Sequence, residues 1–136
     1  MKSERVVILG ASDKPDRYAH KAQLLLQQHG HEVVSVHPRL THIEGVPVVA
    51  DLAAVAGPVD TVTMYVGPAI SSGLTDKLIA LKPRRVLFNP GSENPALAAA
   101  LGQAGIQVEE ACTLVLLHTG QFSSRKARLQ PGQRLG

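Results

Sequence analysis

Short apolar runs alternate along this chain with stretches in which apolar residues recur every three or four positions. Val6–Leu9, Val33–Val36, Thr61–Val66, Val86–Phe88 and Ile106–Glu109 have the length and β-branched content of strands. Between them, Tyr18 to His29 reads as a helix with Ala22, Leu25 and Leu26 on one face, and Gly30 stands where a helix-ending glycine belongs. Ile70, Leu74, Leu78 and Leu81 recur at helical spacing until Lys82-Pro83 stops the run. Asn94 followed by Pro95 is a side-chain cap and then a proline at the first helical position; Leu97, Ala98, Leu101 and Ala104 form the stripe behind it, closed by Gly105. After a loop at His37–Gly45, Val46–Val49 reads as a short extended piece. Asp51 caps a short helix through Val55, which Gly57-Pro58 breaks. Cys112–Leu117 fits a strand or a short helix, and the pattern does not choose.

Strands separated by helices predict right-handed βαβ units and one α/β domain with a parallel sheet of about five strands over residues 1–122. Ligands of open sheets of this kind sit beyond the strand carboxyl ends. That rule selects four loops: Gly10–Arg17, His37–Leu40, Val66–Pro68 and Asn89–Glu93. Aromatic residues make up only 3% of the 136 residues, against 44% hydrophobic, so the core must be aliphatic, as suits a covered parallel sheet.

Charge changes the picture only at the end. The net +3 divides into −1 over residues 1–120 and +4 in the tail, from Arg125, Lys126, Arg128 and Arg134. Residues 123–136 therefore read as a basic, disordered tail on a nearly neutral body, and nucleic acid is not the expected partner. No apolar run approaches the roughly 20 residues of a membrane span, and no signal-peptide core precedes the first strand. A single cysteine, Cys112, allows no internal disulfide, which fits a reducing cytoplasm. The apolar Thr113–Leu117 run is also a candidate surface for a homodimer.

The run Val6-Val7-Ile8-Leu9-Gly10-Ala11-Ser12 passes from a buried strand into a small-residue turn, with a helix to follow. Unpaired backbone N–H groups and a helix N-terminus at such a corner favour a phosphate. The loop Gly10-Ala11-Ser12-Asp13-Lys14-Pro15-Asp16-Arg17 is neither G-x-G-x-x-G nor a Walker A loop. Ser12 offers a hydroxyl there, and Lys14 and Arg17 offer charge. An NAD site carries an acidic residue after the second strand; here the residues are His37-Pro38-Arg39, and Arg39 suits a phosphate on the ribose. That fits NADP or coenzyme A and disfavours NAD.

Taken together, Gly10-Ala11-Ser12-x-x-Pro15-x-Arg17-Tyr18, Val36-His37-Pro38, Asp60-x-Val62 with Tyr65-Val66, Asn89-Pro90-Gly91-Ser92-Glu93-Asn94 and Ala111-Cys112-Thr113-Leu114-Val115 resemble the small single-domain bacterial CoA-binding proteins. These are similar to the CoA-binding domain of the succinyl-CoA synthetase alpha subunit. The resemblance covers about residues 5–122 and rests on the order and spacing of the motifs. It implies a Rossmann-like, doubly wound fold that binds coenzyme A or an acyl-CoA. It implies that Gly10, Ala11, Ser12, Lys14 and Arg17 meet the pyrophosphate. Val36, His37 and Pro38 would lie against the adenine, Arg39 near the ribose phosphate, and Tyr65, Val66 and Asn89 along the pantetheine. His37 departs from the asparagine of many relatives. The synthetase's phosphohistidine segment and ligase domain have no counterpart.

Catalysis needs a reacting group and an activating partner. Cys112 follows Glu109-Glu110-Ala111, and nearby carboxylates raise a thiol's pKa. None of the six histidines forms an H-E-x-x-H metal motif. Ser12 has no His–Asp pair at local spacing, and Glu93 is the best candidate base. The expectation is a carrier, sensor or regulatory protein without catalytic residues or a metal. The alternatives are an NADP-binding oxidoreductase, a redox-responsive nucleotide sensor, and a DNA- or partner-binding module working through the tail.

Overall fold

A computed structural model describes residues 3–123. The expected basic tail, from residue 124 onward, lies outside the described residues. Seven strands form one sheet: β1 (Arg5–Leu9), β2 (Glu32–Val36), β3 (His42–Ile43), β4 (Val46–Val49), β5 (Thr61–Met64), β6 (Arg85–Phe88) and β7 (Gln107–Glu110), in the order β3-β4-β2-β1-β5-β6-β7. The helices are α1 (Tyr18–Gln28), α2 (Pro68–Ser71), α3 (Thr75–Leu81), α4 (Pro95–Gln103) and α5 (Thr113–His118). Without β3, the remaining strands run in the order third, second, first, fourth, fifth, sixth, which is the Rossmann arrangement.

The expectation of about five strands falls short by the hairpin of β3 and β4. β4 pairs parallel to β2, and β3 returns antiparallel along β4, so the sheet is not wholly parallel. A two-residue strand inside His37–Gly45 gives no periodic signal. The turn is Glu44-Gly45, with φ of 50° and 76°. Glu44 lacks the asparagine or aspartate usual at such a left-handed position. Its carboxylate lies 2.9 Å from Nε2 of the buried His20 on α1. Gln23 on the same helix donates to Ile43 O and accepts from Ser35 Oγ. Polar α1 side chains thus join the apolar packing of Ile43 against Ala19 and Leu26 in seating the hairpin.

The second helical run is also broken. Ile70 to Leu81 is not one helix but α2, a 3-10 turn at Ser72–Leu74 and α3. The interruption falls at Gly73, a poor helix residue. Lys82 closes α3 with φ of 55°, and Pro83 follows. The Cys112–Leu117 question resolves as a helix, α5. Its Thr113, Leu116 and Leu117 are buried, while Val115 is exposed. Asn94 and Asp51 both cap as their sequence contexts predict, accepting from Leu97 N and Ala53 N.

The strand pleat divides the core into two layers. Val7, Leu9, Val62, Met64, Val86 and Phe88 face α3 and α4, where Leu78, Leu97 and Leu101 meet them. Val6, Ile8 and Leu87 face α1 and α5, where Ala19, Leu26, Leu116, Leu117 and Phe122 complete the other layer. Among the described residues, no helix is long and apolar enough to cross a membrane.

At the amino ends of the strands sits a buried charged cluster. Thr61 Oγ1 donates to Glu4 Oε1 at 2.7 Å and accepts from Arg85 Nε at 2.7 Å. Arg85 also donates to Phe122 O at 2.7 Å and stacks its guanidinium 4.6 Å from the Phe122 ring. His31 Nδ1 accepts from Glu4 N at 3.0 Å. Burial lowers the His31 pKa below 6.5; nearby Arg85 and His29 add to the lowering, and the Glu4 carboxylate opposes it.

Two predictions follow from this cluster. Removing one partner of a buried ion pair strands the other, so Glu4→Ala should cost about 3–5 kcal/mol in denaturant unfolding. The folded state binds the His31 proton less tightly than the unfolded state. His31 therefore contributes stability above pH 6.5, which fades as the pH falls from 6.5 through its lower folded value. His31→Gln should flatten that part of the stability–pH curve.

Candidate functional site

The carboxyl ends of β1, β2 and β5 frame a cleft of about 400 Å³. Gly10, Ser12, Asp13, Lys14 and Arg17 supply its floor and one side, with Tyr18 and Ala19 from the start of α1. His37 and Leu40 close it after β2, and Tyr65 closes it after β5. The cleft lies at the switch point, where the chain leaves neighbouring strands for opposite faces of the sheet.

Gly10 makes the corner. Its φ is 91°, and a Cβ there would stand 2.7 Å from Val66 Cγ1 and 3.0 Å from the Tyr65 carbonyl. No other residue fits without moving the β5 exit. The N–H groups of Gly10 and Ala11 both donate to Val36 O, at 3.3 and 3.2 Å. These two amides are therefore committed to the neighbouring strand exit. Ser12 and Asp13 N–H have no hydrogen-bond partner among the described residues, and Lys14 N–H is taken by Ser12 Oγ at 3.1 Å. No side chain caps α1, whose Ncap residue is Arg17. The positive end of that helix dipole thus opens beside the cleft. Lys14, Arg17 and Arg39 make no ion pair among the described residues.

After β2, His37 Nδ1 accepts from the backbone N–H of Arg39 at 3.0 Å and of Leu40 at 3.1 Å. An asparagine side-chain oxygen makes the same kind of turn, so the ring reproduces what an asparagine would do here. Arg39 and Pro38 are exposed and stand outside the cleft lining. Val36 and Ala11 are buried behind it, and Val66 packs under Gly10.

A second chamber of about 420 Å³ adjoins the first and shares Tyr18 and Tyr65 with it. Asn89, Pro90, Cys112, Leu114, Val115 and His118 form the remainder of its wall. Asn89 is fully engaged. Its Nδ2 donates to Thr63 Oγ1 and Met64 O, and its Oδ1 accepts from Thr113 N at 2.8 Å. The Thr63 and Thr113 hydroxyls meet at 2.8 Å. Burial pushes the Tyr65 phenol up to about 12, against hydrogen bonding with Thr113 and Thr63.

Of the residues singled out in the sequence, the first cleft gathers Gly10, Ser12, Lys14, Arg17, His37 and Tyr65, and the second gathers Tyr65 and Asn89. The loops selected in the sequence span Asp13 and Leu40 without giving either a contact, whereas Tyr18 in the first cleft and Leu114, Val115 and His118 in the second are assigned to no site there. Glu93, the candidate base, accepts Gly91 N–H at 2.9 Å and so closes its own turn. Among the described residues no three of His, Cys, Asp and Glu converge as metal ligands.

Comparison with known proteins gives the family and the fold. The family model described as a CoA binding domain matches residues 4–118. The uncharacterized protein YneT of Bacillus subtilis (strain 168) is 34% identical over 64 residues, 47% of each chain. The match thus spans about half the length of that relative. A crystal structure of an uncharacterized protein is 37% identical, covers 90% of this chain and all of its own, and superposes with a TM-score of 0.84. The structure of cell-free ID.343 from Thermus thermophilus is 30% identical, covers 88% of this chain and 91% of its own, and has a TM-score of 0.81. With a family model covering most of its length and a Rossmann-like sheet carrying a cleft at the switch point, the chain belongs to the CoA-binding domain family.

Proposed function

We propose that this protein binds coenzyme A or an acyl-CoA with the diphosphate at the Gly10–Arg17 loop, and that it acts as a carrier, sensor or regulator without turnover, in a cytoplasmic setting. One observation carries the reading. The partnerless N–H groups of Ser12 and Asp13 stand in one cleft with two unpaired cations, Lys14 and Arg17, and an uncapped helix N-terminus. Backbone donors and fixed positive charge suit a diphosphate. Asp13 lines the same cleft and is exposed like Lys14 and Arg17, so the three leave one net positive charge there. The expected amide cradle is shifted: Gly10 and Ala11 shape the corner, and donation falls to the residues after them.

The adenine would lie against His37 and Leu40, within reach of Arg39 for the ribose phosphate. The pantetheine would leave past Tyr65 and Val66 towards Asn89. Adjacent strands are about 4.8 Å apart. Asn89 follows β6, two strands from β1, and Cys112 follows β7, three strands away. The thiol end of an extended arm thus has roughly 10–14 Å of cleft to cross. Two of the groups singled out for chemistry are engaged in turns: Ser12 Oγ holds Lys14 N–H, and Glu93 holds Gly91 N–H. These contacts favour binding without bond-making.

Isothermal titration tests the core of the reading: coenzyme A at millimolar concentration should give saturable heat, and a flat trace would refute it. Arg39→Ala should weaken coenzyme A about fivefold, the worth of one exposed charge contact, and leave dephospho-coenzyme A unchanged. His37→Asn should preserve affinity, because the amide oxygen can still accept the two turn N–H groups. His37→Ala should lose affinity by freeing them, and equal losses in the two variants would show that the ring contacts the base in another way.

A further inference from the structure

We infer that the second chamber is an acyl pocket selective for an uncharged, apolar acyl group on the coenzyme's thiol. This rests on the coenzyme A reading above and names the part of the ligand that reading leaves open.

The chamber adjoins the diphosphate cleft and shares Tyr18 and Tyr65 with it. It therefore lies on the path of any arm that leaves the first loop along the strand ends. Its size, about 420 Å³, falls in the range of small-molecule sites.

Its chemistry excludes charge. Pro90, Leu114 and Val115 are aliphatic, the two tyrosines present rings, and Cys112 behaves as a small apolar group. Among the described residues, no lysine, arginine, aspartate or glutamate lines it. The buried polar side chain in its wall, Asn89, has already spent its donors and its carbonyl oxygen on Thr63, Met64 and Thr113. The Tyr65 phenol stays neutral across the physiological range. His118 is exposed at the rim. A carboxylate on the acyl group would lose water there and find no buried cation among the described residues, whereas each methylene would leave water for apolar wall.

The exposed rings and methyls agree with this. Tyr18 is 69% exposed and Val115 is 55% exposed, and both stand on this chamber. They are two of the four large hydrophobic residues exposed among the described residues. An apolar ligand segment would cover them.

The test uses the full chain and a thiol-free ladder of ligands: desulpho-coenzyme A, acetyl-, butyryl-, hexanoyl- and succinyl-coenzyme A. Calorimetry reads affinity. The rate of iodoacetamide alkylation of Cys112, the chain's single thiol, reads occupancy of the chamber by intact mass. Affinity should rise about threefold per methylene from acetyl to butyryl. Succinyl-coenzyme A should bind more weakly than butyryl-coenzyme A. Butyryl-coenzyme A at saturation should slow the alkylation several-fold more than desulpho-coenzyme A does. Leu114→Asp, checked for folding by its thermal transition, should flatten the ladder. Equal affinities along the ladder and equal alkylation rates, with desulpho-coenzyme A still bound, would overturn the acyl pocket and leave the coenzyme A reading standing. No heat with any ligand would overturn both.

Discussion

The close approach of the β1 exit to the β5 exit is the constraint on which the site depends. Gly10 fits there because it has no side chain to place against Val66 and the Tyr65 backbone. Its positive φ turns the chain so that two successive N–H groups reach Val36 O on the other neighbouring strand. Three strand exits are thereby tied together at one point, and each then sends a different residue into the cleft: Ser12, His37 and Tyr65. The glycine that a motif reading assigns to phosphate contact acts first as the joint of the sheet.

A second organising element is β5, whose Thr61 and Thr63 point into the same layer two residues apart. Each hydroxyl is the hub of a polar cluster, one at either end of the sheet. Thr61 joins Glu4 and Arg85 at the amino ends of the strands; Thr63 joins Asn89 and Thr113 at the carboxyl ends. Buried hydroxyls cost free energy unless they are bonded, and here both are. The amino-end cluster holds Phe122 to Arg85 at the start of β6, and the carboxyl-end one fixes the start of α5 against the end of β6. α5 in turn supplies much of the wall of the second chamber.

Much of this was legible in the chain. The strands at Val6–Leu9, Val33–Val36 and Val86–Phe88, the Asn94-Pro95 start and the Lys82-Pro83 stop follow from local patterns that the tertiary structure reinforces. β4 was legible as the extended piece Val46–Val49, but β3 and the hairpin pairing were not. The turn uses Glu44 where a sequence cue would be asparagine, and part of its docking comes from His20 and Gln23, polar residues outside the Ala22, Leu25 and Leu26 stripe. In the site, Gly10 and the cations around it could be read from order and spacing. That the Gly10 and Ala11 amides are already engaged could not, because their acceptor, Val36 O, lies 25 or more residues away and is brought in by strand pairing. The second chamber was hidden for the same reason. Tyr18 and Val115 belong to helices far apart in sequence, and only packing of α1 beside α5 makes them neighbours.

The Arg85–Phe122 bond also gives the molecule two distinct poles. Arg85 begins β6 and Asn89 follows its end, so Phe122 is anchored roughly a strand's length, about 13 Å, from the cleft. A fluorophore or surface tether placed at this pole would stand at the opposite end of the strands from the mouth of the cleft. Immobilised by that point, the protein would present its open face outward to whatever flows past.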